Sequence, residues 1–318
     1  MEYAPIALFI YNRPGHLQRT LHALAANRGA AKSDLTIFCD GPKSKPEEKH
    51  IFDARAVAKS LEFRRCFSSI TFVEHERNFG LATSIIDGVS SILANSDRVI
   101  VLEDDLVTSP AFLDYANQGL DLYANDQQVM CIHGYAYPIQ AQGLLDTYFL
   151  LGGDCWGWAT WKRAWNCFCP DGQQLLEDLR KRGLDTHFDV DGTYPFTQML
   201  EHQIAGKNNS WAIRWRASTF LRGGLTLYPR QSLVKNIGMD GSGAHCDLTN
   251  NYDVELAQSP VCVSRVPLYE NSLVFGRLKD YFRKIAQPLA PAPLPPLTWG
   301  TRLRRSIWAR AKRFRESR

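Results

Sequence analysis

Apolar positions fall in two alternating rhythms along roughly the first 130 residues. Short unbroken runs, at Pro5 to Tyr11, Leu35 to Cys39, Ser69 to Glu74, Arg98 to Leu102 and Val129 to His133, are separated by stretches where apolar residues recur every three or four positions. The runs predict strands buried on both faces, and the stretches between them predict helices. Leu17, Leu21 and Leu24 share one helical face, Leu81, Ile85, Val89 and Ile92 a second, and Phe112, Tyr115 and Leu122 a third. Pro14 and Pro110 stand where helices should begin, since a first turn has no use for their missing N–H. Strand and helix in alternation predict an α/β fold built on a parallel sheet with crossover helices.

From Tyr135 to Ser264 this rhythm fails, and Trp, Gly and His gather around Gly152 to Trp165 and Trp211 to His245, a composition suited to a substrate-binding half. Pro288 to Pro296 holds five of the sixteen prolines and reads as a semi-rigid linker. Beyond it Trp299, Leu303, Ile307, Ala311 and Phe314 recur at helical spacing among basic residues. The expected organisation is a nucleotide-binding half over 1–134, an acceptor-binding half over 135–287, a linker over 288–298 and a basic amphipathic helix over 299–318.

At 318 residues the chain suits one large domain with an appendage. Hydrophobic residues at 45% and charged residues at 22% exclude disorder or a fibrous repeat for the bulk. Of the net charge of +4, the last twenty residues carry +7, which leaves −3 on the body. A cationic helix on a slightly acidic body fits attachment to an anionic membrane surface, with a solvated or nucleic-acid-binding tail as the alternative. The body itself is not expected to bind nucleic acid. No window reaches the roughly 18 apolar residues of a membrane span. The N-terminal run lacks a basic region before it, so it reads as a strand and not as a secretion signal. The expected location is therefore cytoplasmic, peripheral on the inner face of the cell membrane, with the eight cysteines as reduced thiols.

Polar residues collect where the predicted strands end. Glu103-Asp104-Asp105 follows the run Val99 to Leu102, at the strand edge where open α/β sheets take ligands. Carboxylates there suit a hard divalent cation shared with substrate phosphates, and they also suit an acidic loop before a helix. Asn12-Arg13 and Asp40-Gly41 occupy the same edge after the first two strands. An Arg there can pair with phosphate, and an Asp can bond a base or ribose or serve only its turn. Asn78-Phe79-Gly80-Leu81 opens the next helix, whose first N–H groups favour an anion; Asn78 and Gly80 also suit a plain turn and cap.

Taken in order, Ile10-Tyr11-Asn12-Arg13, Phe38-Cys39-Asp40-Gly41, Asn78-Phe79-Gly80-Leu81 and Val101-Leu102-Glu103-Asp104-Asp105 resemble a GT-A-type nucleotide-sugar glycosyltransferase. With Gly157-Trp158 in the second half, the chain is similar to the inverting N-acetylglucosaminyltransferase I family and its bacterial relatives, over roughly residues 4 to 250. The resemblance implies a GT-A-type mixed sheet flanked by helices, with Mn²⁺ or Mg²⁺ as cofactor and Asp105 as its ligand. It places Arg13 on the donor diphosphate, Asp40 on the uracil, and Asn12, Asn78 and Gly80 nearby. Glu103 and Asp104 would contact ribose, sugar or metal-bound water. The glycine-containing segment from Asn236 to His245 resembles the loop that closes over the donor, with His245 adding a metal or phosphate contact; a simple flexible loop is the alternative.

Trp156, Trp158 and Trp161 fall within six residues. The resemblance puts Trp158 at the donor–acceptor cleft, where indole stacks on sugar rings, while Trp as a core residue is the other reading. The family's base precedes a Trp, but Asn209 stands at the matching place before Ser210-Trp211 and cannot take a proton. Asp154, and after it Glu201, are the expected substitutes. The resulting expectation is a metal-dependent inverting transferase. It would move a hexosyl or N-acetylhexosaminyl group from a nucleotide sugar, a UDP-sugar, to a glycan or lipid-linked acceptor in surface polysaccharide biosynthesis. A non-catalytic sugar-nucleotide or glycan-binding protein and a sugar nucleotidyltransferase are the alternatives.

Overall fold

The computed structural model describes residues 2–241 and 249–286. Its strands are β1 (Ile6–Ile10), β2 (Asp34–Cys39), β3 (Ser69–Glu74), β4 (Arg98–Glu103), β5 (Leu106–Thr108), β6 (Val129–His133), β7 (Thr147–Leu151), β8 (Trp158–Trp161), β9 (Leu225–Pro229) and β10 (Val234–Asn236). The α-helices are α1 (Pro14–Ala25), α2 (Glu48–Ala58), α3 (Leu81–Asn95), α4 (Phe112–Leu122), α5 (Lys162–Trp165), α6 (Gly172–Lys181), α7 (Asp185–Phe188), α8 (Phe196–Ile204), α9 (Trp211–Phe220) and α10 (Ser272–Ala286). The five runs became β1 to β4 and β6; β1 and β4 are inner strands covered on both faces and need continuous apolar sequence, whereas β3 is the half-exposed edge. Pro14 is the first residue of α1, whereas Pro110 precedes α4 by two residues.

The fold is the expected α/β class, a mixed sheet flanked by helices. Its eight strands run in the order β3-β2-β1-β4-β8-β6-β9-β7. β3, β2, β1 and β4 are mutually parallel, in register from Ile6↔Leu35 and Ile6↔Ile100. β8 is antiparallel to both β4 and β6, β9 is parallel to β6, and β7 is an antiparallel edge. The sheet therefore crosses the division expected near residue 134, since β8 lies between β4 and β6. Residues up to Arg283 gather in one compact unit. The Pro-rich linker, the basic tail and His245 lie outside the described residues.

Period-two alternation along β1 divides the core. Ile6, Leu8 and Ile10 pack with Leu17 and Leu21 of α1, Ala54 of α2 and Tyr115 of α4 on one face. Ala7 and Phe9 pack with Ile85 and Val89 of α3 and with Trp211 and Trp215 of α9 on the other. The far side of α9, with Ile213, Ala217 and Phe220, closes on α6, α7 and α8. In α3 the buried face is Ala82, Ile85, Val89 and Leu93, not the one starting at Leu81, which is 44% exposed. As the first residue of its helix, Leu81 faces the open edge of the sheet. In α4, Leu113, Ala116 and Leu120 join Phe112 and Tyr115 inside, and Leu122 is only half-buried.

A Cβ on Gly88 of α3 would lie 2.6 Å from the Phe9 ring and 3.1 Å from that of Phe38. Those two rings stack with centroids 4.8 Å apart. Gly→Ala inside a helix ordinarily gains about 1 kcal/mol. Gly88→Ala is expected instead to lose about 1–3 kcal/mol by overpacking the stack. Urea unfolding decides the sign, and a gain in stability would show that the two rings yield freely.

Candidate functional site

The four parallel strands end at a cleft of about 390 Å³, lined by residues that include Tyr11, Asn12, Arg13, Asp40, Asn78, Gly80, Leu81, Ser84 and all three of Glu103, Asp104 and Asp105. Strand register explains the convergence. β1, β2 and β4 are paired to their last residues, so the chain segments that follow them leave the sheet side by side.

Arg13 is the cation of this edge. Its Nη2 donates to Asp104 Oδ1 at 2.6 Å and to Asp105 Oδ2 at 2.8 Å. Asp104 is further fixed by the Tyr11 N–H at 3.1 Å, and its carbonyl accepts from Thr20 Oγ1 at 2.9 Å. Burial opposes the charge on Arg13, but the two carboxylates outweigh it and hold the guanidinium firmly protonated. Burial lifts the Asp104 carboxyl above its usual range despite Arg13. Burial, then the charges of Asp105 and Asp104, push Glu103 up to about 8. Glu103 is therefore mostly protonated at neutral pH, and one guanidinium against the two aspartates still leaves the edge short of positive charge.

Asp40 is 7% exposed, and its two oxygens accept four bonds. Oδ1 takes the N–H groups of Gly41 and Phe79, each at 2.9 Å. Oδ2 takes Gly80 N at 2.9 Å and Asn78 Nδ2 at 2.8 Å. Its lone pairs are thus committed to the turn that launches α3, in place of the free acceptor for a base that the sequence suggests. That turn puts Gly80 at φ +81°, where a side chain would be strained. Asn12 also lines the cleft and donates to Glu47 Oε1 at 3.5 Å.

A second segment closes on the acidic triplet. β10 pairs with β5, and the Ile237 N–H then donates to the Asp105 carbonyl at 2.9 Å. A Cβ on Gly238 would lie 2.1 Å from Asp105 Oδ2, so only glycine fits this approach. His16 Nε2 and Asp240 Oδ2, 3.1 Å apart, tie the same segment to α1.

Trp158 must be reassigned. It is 1% exposed, with ring centroids 5.4 Å from Trp211, 5.7 Å from Trp215 and 5.8 Å from Trp165. An indole enclosed this way serves as core and has no face to offer a sugar. Glu201 lies on the exposed side of α8 in an ion pair with Arg180. It does not border the cleft. Asp154 does not border it either. Asp154 Oδ2 accepts from Tyr228 Oη at 3.0 Å and Tyr137 Oη at 3.2 Å, and Oδ1 accepts the Cys155 N–H at 2.8 Å. Burial raises its carboxyl, but His133, Arg216 and these donors outweigh burial and hold it below the usual range.

Sequence reading missed Ser84, Lys43 and Glu47; Tyr11 and Gly238 fell inside the motif and the glycine-containing segment it singled out, without a role of their own. Ser84 had a readable signal, a hydroxyl between Ala82 and Ile85 on the apolar face of a helix. Lys43 and Glu47 had none, since they reach the cleft only through the loop after β2.

Among the described residues no three His, Cys, Asp or Glu side chains converge as a metal cage. A hard cation at a nucleotide site commonly takes one or two carboxylates and completes its shell with phosphate oxygens and water. Asp105 fits that mode, because Oδ2 is held by Arg13 while no described residue bonds Oδ1.

No protein-family model matches the chain. Among solved structures it is similar to S. aureus TarS, with TM-score 0.42 and 8% identity over 74% of this chain and 37% of that one. It is similar also to an active-site mutant of LgtC, with TM-score 0.31 and 14% identity over 50% of this chain and 58% of that one. A UDP-glucose pyrophosphorylase complexed with UDP-glucose gives TM-score 0.33 and 12% identity over 71% and 90%. The chain thus spans less than two thirds of TarS and of LgtC. The likeness concerns fold alone.

His133 is 0% exposed; its Nε2 accepts the Trp156 N–H at 3.0 Å and lies 3.8 Å from Asp154 Oδ1. Burial pulls its pKa below the ordinary value, against the pull of Asp154. The unfolded chain therefore takes up this proton first as pH falls. The stability involved is complete above about pH 6.5 and is lost as pH drops from there toward the folded value. Asp154 acts with the same sign at lower pH. Urea midpoints measured from pH 8 to 5 are expected to fall more steeply for the wild type than for His133→Gln; parallel curves would show that His133 titrates normally.

Proposed function

We propose that this chain is a metal-dependent glycosyltransferase, moving a sugar with inversion from a UDP-sugar to a hydroxyl of a glycan or lipid-linked acceptor. The observation that carries the reading is the charge balance of the cleft: Arg13, Glu103, Asp104 and Asp105 share one edge and remain net negative. A diphosphate added there needs a further cation.

Asp105, through Oδ1, would hold Mn²⁺ or Mg²⁺ together with the diphosphate. Bound so, the ion would offset the negative charge that develops on the leaving group. Arg13 keeps both carboxylates in place and faces the diphosphate with its remaining N–H groups. The Gly238 segment covers this end and excludes water from it. The acceptor oxygen forms a bond to the sugar C1 as the bond from C1 to the diphosphate breaks; the nucleoside diphosphate departs with the electron pair, and the hydroxyl proton passes to solvent. One such displacement inverts the centre.

Nucleotidyl transfer would release pyrophosphate, and a binding protein would release nothing. Incubation with UDP-sugars and Mn²⁺ is expected to yield UDP, at a rate lowered at least about 100-fold by chelator or by Asp105→Ala. Pyrophosphate as product, or chelator-insensitive turnover, would overturn the reading.

Among the described residues no helix is long and apolar enough to cross a membrane. We read the basic tail, residues 299–318, as a peripheral anchor to anionic lipid that brings a lipid-linked acceptor within reach. Full-length protein is expected to co-sediment with anionic vesicles at low salt, and protein lacking 299–318 is not. Equal pelleting of both would remove the anchor.

A further inference from the structure

The Ser84 hydroxyl is buried, at 7% residue exposure, and bonds no described group, yet Ser84 lines the cleft. A helical serine usually returns its hydroxyl to the carbonyl one turn back. Here nothing is bonded, and a buried hydroxyl left alone costs about 1–3 kcal/mol unless a ligand meets it.

Asn78, on the same side of the cleft, has a fixed amide orientation. Its Nδ2 donates to Asp40 Oδ2 at 2.8 Å and to the Gly41 carbonyl at 2.9 Å, both groups that can only accept. Oδ1 is therefore the outer atom, and no described residue bonds it. The Asp40 carboxylate, saturated by four donors, orients Asn78 and is not available to read a ligand.

Strand order separates Asn78 from the phosphate end. Arg13 and Asp105 follow β1 and β4, whereas Asn78 follows β3, two or more strand spacings away, about 10 Å, and Ser84 stands in the first turn of α3, the helix that leaves this end and packs over β1 and β4. Resting on the nucleotide-sugar reading above, a nucleoside diphosphate with its phosphates at Arg13 and Asp105 carries its base toward Leu81, Asn78 and Ser84. The apolar surface there comes from Phe9, Phe38 and Leu81.

The geometry points to Asn78 Oδ1 and Ser84 Oγ as the pair that selects the base, taking an imide edge in which a ring N–H stands beside a carbonyl. Asn78 accepts the N–H and Ser84 donates to the carbonyl. Uracil presents that edge, and so does guanine. Cytosine presents a bare ring nitrogen, whose lone pair would oppose Oδ1 with no bond formed.

Titration calorimetry with UDP, GDP and CDP in the presence of Mn²⁺ tests this. Wild type is expected to bind UDP or GDP at least about tenfold more tightly than CDP. Ser84→Ala is expected to weaken the preferred nucleotide about tenfold, leave CDP unchanged and not lower the melting temperature, because it removes only an unbonded hydroxyl. Equal binding of CDP by the wild type, or an unchanged preference in Ser84→Ala, overturns the base assignment while the nucleotide reading survives. Binding of none of the three overturns the nucleotide reading itself and this inference with it.

Discussion

Three consecutive carboxyl groups at the end of a buried strand are tolerable only if their charge is held down, by a proton on Glu103 and by a cation beside Asp104 and Asp105. Arg13 is that cation. Placed directly after β1, it reaches across to the residues after β4 and fastens the two strand ends together. An ionised pair taken out of water gains little net stability by itself, and removing either partner leaves an uncompensated charge. The bridge is better understood as a device for register: it fixes where Asp104 and Asp105 point, and everything that approaches the edge, Gly238 included, is fitted to them.

The first half of the chain was legible because physical necessity writes it plainly. Parallel strands covered on both sides must be apolar throughout, so β1 and β4 stood out at nearly their observed boundaries, and β2 and the half-exposed edge strand β3 followed from their β-branched and aromatic residues. The polar residues after them could be placed on one edge without coordinates, since that follows from parallel direction alone. The functions given to individual side chains fared less evenly. Asp40 was rightly put at the cleft, but its four local bonds could not be read from a turn motif, because they depend on how the loops after β2 and β3 meet.

The second half concealed itself for a different reason. β7, β8 and β9 insert into or extend a sheet begun elsewhere, and their partners lie far off in sequence. Trp158 shows the result. A tryptophan in a Gly-Trp motif looks like a sugar platform, but as the first residue of β8 it faces Trp211 and Trp215 of α9, which only the sheet topology brings near. Asp154 likewise drew attention for its place before this motif, and the tyrosines that engage it come from β9 and from the loop after β6.

The position of β8 has a consequence for how the molecule comes into being. β4 borders β1 on one side, but its other neighbour is a strand made more than fifty residues later. Until Trp158 to Trp161 have left the ribosome, β4 presents an open row of backbone donors and acceptors, followed by an acidic cluster. An unpaired apolar strand invites association with other nascent chains, and like charge beside it discourages that association. The carboxylates that line the finished cleft thus also stand guard over the unfinished sheet.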